Sequence, residues 1–169
     1  YATAIGYSAK ANSEGAIALG SNSSATNTSA IAIGKNTIAN GLSSTALGDS
    51  AEATGISSTS LGRLTNAGGA SSTAVGYAAT ASNDGSTALG LSATASGSSS
   101  TAVGRSATAG TDSTALGRLA NASARYATAV GRLSIANGNF STAIGASSSA
   151  NGNSSTALGR LANAGGDYS

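Results

Sequence analysis

The chain has no cysteine, histidine, proline, methionine or tryptophan, and only one phenylalanine and five tyrosines among its 169 residues. Each absence removes a class of chemistry. Without cysteine there are no disulfides or thiol nucleophiles, and nothing from which to read the redox compartment. Without histidine, triads built on imidazole are excluded, as is the commonest metal ligand. Charged residues make up 8%, where about a quarter is usual. No apolar run is long enough to cross a bilayer as a helix. Six carboxylates are scattered: Glu14, Asp49, Glu52, Asp84, Asp112 and Asp167. They read as solvated surface charge. There is no acidic calcium-binding nonapeptide, and the glycines lack the Lys and strand–helix setting of a phosphate loop. No catalytic, cofactor or metal site is expected, and the protein is not expected to be an enzyme.

What the chain has is Ala, Ser, Thr, Gly and Asn in strict phase. Thr-Ala-(Ile/Leu/Val)-Gly recurs, with its glycine at 6, 20, 34, 48, 62, 76, 90, 104, 117, 131, 145 and 159. The spacing is 14 residues everywhere except one step of 13, between Gly104 and Gly117. Counted from its Thr, each unit has an aliphatic residue at position 3: Ile5, Leu19, Ile33, Leu47, Leu61, Val75, Leu89, Val103, Leu116, Val130, Ile144 and Leu158. Position 7 is always Ala, Ser or Thr, and position 9 is always Ala. Positions 10 and 11 are often Asn and Gly, as in Asn40-Gly41 and Asn137-Gly138. Such a low-complexity chain is ordered because it repeats.

The unit predicts strand, turn, strand, turn. A β-branched or aliphatic residue on either side of a small Ala suits a short strand. Gly at position 4 ends it, small residues at 7 and 9 share one face of a second strand, and Asn-Gly supplies the return turn through left-handed conformations. Glycine at this frequency, with no 3.6-residue apolar stripe, excludes helix. The 13-residue step falls within Ser106–Ser113, where a turn absorbs a lost residue; within a strand it would flip every side chain to the opposite face. The expected fold is therefore all-β: a parallel solenoid of twelve coils forming one domain over residues 1–169. The chain opens almost inside a repeat at Tyr1 and closes one at Ser169, as expected of a piece of a longer fibrous protein.

The twelve position-3 aliphatics are expected to form the structural core of the repeat. One such residue per coil, among alanines, makes a thin core for the entropy of ordering fourteen residues. A second apolar face against identical parallel chains would make up the deficit. Positions 1 and 3 point one way and Ala at position 2 the other, which leaves open which set meets the neighbour.

Ser72-Thr-Ala-Val-Gly76, Ser86-Thr-Ala-Leu-Gly90 and Ser141-Thr-Ala-Ile-Gly145, each followed by small-x-Ala-x-Gly, resemble the head repeats of trimeric autotransporter adhesins, the YadA-like heads of Gram-negative bacteria. The resemblance covers essentially the whole chain. It implies a left-handed parallel β-roll, a homotrimer, and display on the bacterial cell surface through an outer-membrane anchor outside these residues, without membrane insertion here. It also implies attachment to extracellular matrix proteins, host cells or abiotic surfaces, and autoagglutination. Those heads often carry Val or Ile at position 1, where this chain mostly has Thr.

A solenoid stacks equal positions into ladders about 4.8 Å apart per coil. Position 5 carries Lys35, Arg63, Arg105, Arg118, Arg132 and Arg160. From residue 86 onward five basic side chains face two acidic ones. The arginines are a candidate docking strip for acidic groups; charge this sparse does not point to nucleic acid. Position 13 carries Tyr126 and Phe140 on adjacent coils, and Tyr168 beyond them. Exposed aromatics of this kind anchor partners. Position 1 is Thr in ten of twelve units. A flat outward Thr ladder would make an ice-binding solenoid, but its Thr-Ala-aliphatic-Gly setting is expected to bury it. A passive spacer or fibre segment is the remaining alternative.

Overall fold

The structure, a computed structural model, describes residues 1–169 and is built of β-strands and turns alone. Twenty-four short strands run from β1 (Thr3–Ile5) to β24 (Asn163–Ala164). Odd-numbered strands have three residues, Thr-Ala-aliphatic in most coils, and form one twelve-stranded parallel sheet, here called the wide sheet. Even-numbered strands have two residues, ending in the invariant Ala of position 9, and form the parallel narrow sheet opposite. Each strand pairs with its equivalent one coil on, as Thr87, Ala88 and Leu89 pair with Thr101, Ala102 and Val103. Sequential coils of one chain therefore stack into a rod about 55–60 Å long.

The shortened coil obeys the same register. Thr101 pairs with Thr114, and Thr108 with Asn121, thirteen residues apart in each case. The deletion is taken up between β16 (Thr108–Ala109) and β17 (Thr114–Leu116), so both sheets pass it without a change of face.

Hydrogen bonding continues around the turns. Gly90 donates to the Val75 carbonyl at 2.9 Å and Ser92 to that of Tyr77 at 2.8 Å, one coil back in each case. Turn residues therefore satisfy their backbone groups as strand residues do. Both turns of the coil, positions 4–7 and 11–14, close with a bond from their last N–H to their first carbonyl, as Ser23 to Gly20 at 3.3 Å and Ser86 to Asn83 at 3.1 Å. In each turn the third residue is left-handed: position 6 and position 13, with φ of 52–60° at the non-glycine residues. These are type II turns.

The return turn thus differs from expectation. Asn-Gly at positions 10 and 11 marks its place, but neither residue is left-handed; position 13 is. Glycine at position 11 serves packing. At Gly41, Gly55 and Gly138 an added Cβ would collide with the carbonyl of the coil above. Position 4 meets both demands: Gly90 has φ +136° and a Cβ there would lie 2.7 Å from the Gly104 oxygen.

The core also differs. Every buried apolar side chain is an alanine. Ala at positions 2 and 9 faces inward from the two sheets, with Ala, Ser or Thr of positions 7 and 14 closing the ends of the coil. Four-residue turns hold the sheets too close for anything larger. The position-3 residues Ile5, Leu19, Ile33, Leu47, Leu61, Val75, Leu89, Val103, Leu116, Val130, Ile144 and Leu158 are therefore not the core of the coil. They project from the outer face of the wide sheet, half exposed along the rod, with Leu89 44% accessible. Strand alternation compels this: Ala at position 2 points in, so positions 1 and 3 point out.

One coil interrupts the alanine interior. Ser60 stands at position 2 and donates to Thr65 Oγ1 at 2.8 Å; Thr65 in turn donates to the Gly62 carbonyl at 2.9 Å. This satisfied polar rung divides the core into alanine clusters of nine and twenty residues. At position 14 the buried hydroxyls of Ser86, Ser100 and Ser155 bond the carbonyl of position 11, Ser100 to Gly97 and Ser155 to Gly152 both at 2.6 Å, whereas those of Ser44, Ser58, Ser72 and Ser141 have no partner.

Candidate interaction surfaces

The rod presents two broad faces of opposite character. Outside the narrow sheet, position 8 carries Lys10, Ser24, Glu52, Asn66, Thr80, Thr94, Thr108, Asn121, Ser149 and Asn163, with only Ile38 and Ile135 apolar. Polar partners run along it, as Asn66 Nδ2 donating to Glu52 Oε2 at 3.2 Å. Outside the wide sheet, an unbroken aliphatic ladder at position 3 runs beside the Thr ladder at position 1, where Ile17 and Ile31 replace Thr. The expected burial of the Thr column is not what the chain does alone. Thr faces outward with the aliphatic ladder and is partly buried in most coils, as at Thr87 and Thr101.

The surface has no cleft. What distinguishes one coil from another lies on its two edges, where the turns run.

One edge, after the wide strands, carries the position-5 ladder. Its basic residues have unequal surroundings. Arg63 is held within the chain: Nε lies 3.5 Å from Asp49 Oδ2, Nη1 donates to the Tyr77 hydroxyl at 3.3 Å, and the guanidinium lies 5.5 Å from the Tyr77 ring centre. Arg105, Arg118, Arg132 and Arg160 are exposed and have neither a carboxylate partner nor an aromatic one in the chain. Arg105, Arg118 and Arg132 occupy successive rungs, so three free guanidiniums follow at about 4.8 Å per coil.

The opposite edge, before the wide strands, carries position 13. Tyr126 and Phe140 stack with ring centroids 4.8 Å apart and planes 18° from parallel. The centroid spacing equals one coil, so the backbone repeat itself sets the stack. Arg125 covers Tyr126, 4.7 Å from its centroid, and pairs with Asp112 at 3.6 Å. Sequence reasoning passed over Arg125 because it stands at position 12, outside the arginine ladder; its place beside Tyr126 was the available signal. Phe140 remains 62% accessible and Tyr168 more so. The structure thus brings Tyr126 and Phe140 together, and keeps them on the edge away from the arginines of position 5.

Several residues on these edges hold a backbone conformation that bulky side chains disfavour. Leu64, Leu119, Leu133 and Leu161 at position 6, and Tyr126, Phe140 and Tyr168 at position 13, all have φ of 57–60°. The left-handed region costs a residue with a Cβ roughly 1–2 kcal/mol.

The YadA head domain repeat matches the chain in overlapping two-copy windows, at residues 1–23, 11–37, 25–51, 39–65, 53–79, 67–93, 81–107, 95–112, 109–134, 123–148, 136–162 and 150–169. The crystal structure of the collagen-binding domain of the Yersinia adhesin YadA is similar to it, with 32% identity and a TM-score of 0.49. That likeness covers 77% of this chain and 65% of the other, so the chain spans just under two thirds of that domain. No curated protein sequence matches the chain.

Proposed function

This chain belongs to the YadA head domain repeat family, and from that premise we propose that it is the adhesive head of a bacterial surface fibre. The observation that carries the reading is the match of the repeat from residue 1 to residue 169. The head would be a homotrimer of parallel rods, displayed on the cell surface by stalk and anchor regions outside these residues. It performs no catalysis. Its work is multivalent display: weak contacts repeated over twelve coils and three chains give avidity far above single-site affinity.

The asymmetry of the rod supports the trimer. Aliphatic side chains on the wide face and polar ones on the narrow face leave a single apolar surface, and three copies can turn it toward a common axis. In that arrangement the Thr ladder is covered, as the sequence context implied, and the polar face and edges meet the surroundings.

The ligand class proposed is extracellular matrix protein, collagen foremost, following the similar domain from Yersinia. Host cells, abiotic surfaces and sister bacteria are further targets for the same avidity. Immobilised collagen, fibronectin and laminin, probed with the purified chain, test the reading. Saturable retention of the trimer on at least one is expected. No binding to any of them, nor to cells or plastic, would leave a passive spacer as the better description.

The outward Thr ladder favours one other reading. On a rod that stays single, a flat Thr column with a repeat of about 4.8 Å is a surface suited to ice. Thermal hysteresis from the purified chain would support that reading against adhesion, and its absence would remove it.

A further inference from the structure

The aliphatic ladder of the wide face cannot set the axial register of neighbouring rods. Every rung offers Ile, Leu or Val at position 3, so sliding one rod past another by one coil leaves that contact nearly unchanged. Register needs residues that differ from rung to rung, as polar and charged positions do in coiled coils. In this chain those residues stand on the two edges.

The edges vary together. Four position-5 arginines lack any partner in the chain: Arg105, Arg118, Arg132 and Arg160. In the same four coils position 13 is Asp112, Tyr126, Phe140 and Tyr168. In all eight other coils position 13 is Ser or Gly. The coil between Phe140 and Tyr168 is the informative one, because it has Ala146 at position 5 and Ser154 at position 13. Both unusual residues are missing from it together. Arg63, with Ser71 at position 13, fits the same rule, since it is already occupied by Asp49 and Tyr77. Within one chain the two positions of a coil lie on opposite edges, at either end of a narrow-sheet strand, as β18 (Asn121–Ala122) lies between Arg118 and Tyr126, so their correspondence has no cause inside the coil.

A cyclic assembly supplies the cause. Rods that turn the same face to one axis set the position-5 edge of each copy against the position-13 edge of the next. We propose that the four free arginines of one copy lie on Asp112, Tyr126, Phe140 and Tyr168 of the neighbouring copy, coil for coil, and that these contacts fix the register of the assembly. This rests on the trimer reading above. Guanidinium on the aromatic faces of Phe140 and Tyr168, on the hydroxyl of Tyr126, whose ring already carries Phe140 and Arg125, and on carboxylate are the complementary pairs the two edges offer. Asp112 meets Arg125 through Oδ2, which leaves Oδ1 for the neighbour. In register all four arginines find such a partner; slipped by one coil in either direction only two do. The left-handed conformation of Tyr126, Phe140 and Tyr168 is then maintained by what these side chains reach across the interface.

A double-mutant cycle tests this. Arg132→Ala, Phe140→Ala and the double variant are melted as the full chain, with sedimentation giving the mass of each. Each single variant is expected to melt roughly 3–6 °C lower, and the double variant no lower than the worse single. Arg132→Ala with Tyr126→Ala should couple less, and Arg63→Ala with Ser71→Ala not at all. Additive shifts in a trimer, or stronger coupling of Arg132 to Tyr126 than to Phe140, overturn the register contact and leave the trimer standing. A folded single chain overturns both.

Discussion

Gly90→Ala and Gly159→Ala separate two demands that one glycine meets in every coil. Gly90 has φ +136°, and a Cβ there would lie 2.7 Å from the Gly104 carbonyl oxygen and 2.8 Å from its carbon. A Cβ essentially never approaches backbone so closely, and the obstructing atoms belong to a hydrogen-bonded rung that cannot retreat without breaking the ladder. Gly159 has φ +121° in the last coil of the chain, and an added Cβ there meets nothing within 4 Å. Both substitutions carry the conformational penalty of about 1–3 kcal/mol. Only Gly90→Ala carries the collision as well, bringing its cost to about 3–5 kcal/mol. In a repeat array damage stays near its site, so hydrogen exchange by rung is the assay, with urea unfolding for the global change. Faster exchange across the rungs flanking Gly90 is expected, and near-unchanged exchange away from the terminal coil in Gly159→Ala. Equal losses at the two sites would refute the claim that stacking, beyond φ, requires this glycine.

Two further substitutions probe the interior and the wide face. Ser72 and Ser100 occupy equivalent buried places, but the Ser72 hydroxyl has no partner whereas Ser100 bonds Gly97 at 2.6 Å. Ser72→Ala should stabilise the chain by about 1 kcal/mol and Ser100→Ala destabilise it by a similar amount; melting both checks the sign difference, and shifts of one sign would contradict it. Leu89→Asp puts a carboxylate on the aliphatic ladder and should dissociate the assembly on a sizing column, whereas Thr94→Asp on the narrow face should leave it intact within about 0.5 kcal/mol; equal behaviour would mean the wide face is free.

Much of the fold was legible because the repeat averages out local noise. Twelve coincident glycines at position 4 located the end of every wide strand, and the short step before Gly117 located a turn. The left-handed places were harder. Position 6 carries Ser or Asn in coils such as those of Ser8, Asn22 and Asn36, and position 13 is often Ser, which are fitting residues for a left-handed turn. Leu119, Leu133, Tyr126 and Phe140 at the same places concealed them, and Asn40-Gly41 offered a more familiar signal two residues early. The direction of position 3 was hidden for another reason. Alternation gives two faces without saying which is inside, and the habit of placing Leu inward fails where four-residue turns leave room only for Ala, Ser and an occasional Thr. The candidate surfaces were legible as ladders. The pairing of Arg63 with Asp49 and Tyr77, and the free state of Arg118 and Arg132, needed the stacking of coils to be seen.

The central claim is that a rod with an alanine interior is completed by its own copies through the face bearing Leu89 and its equivalents. Sedimentation equilibrium of the purified chain tests it most directly. The account predicts a single species at three times 15.7 kDa that loses its β-structure as it dissociates. A species of 15.7 kDa that remains folded on dilution would contradict it.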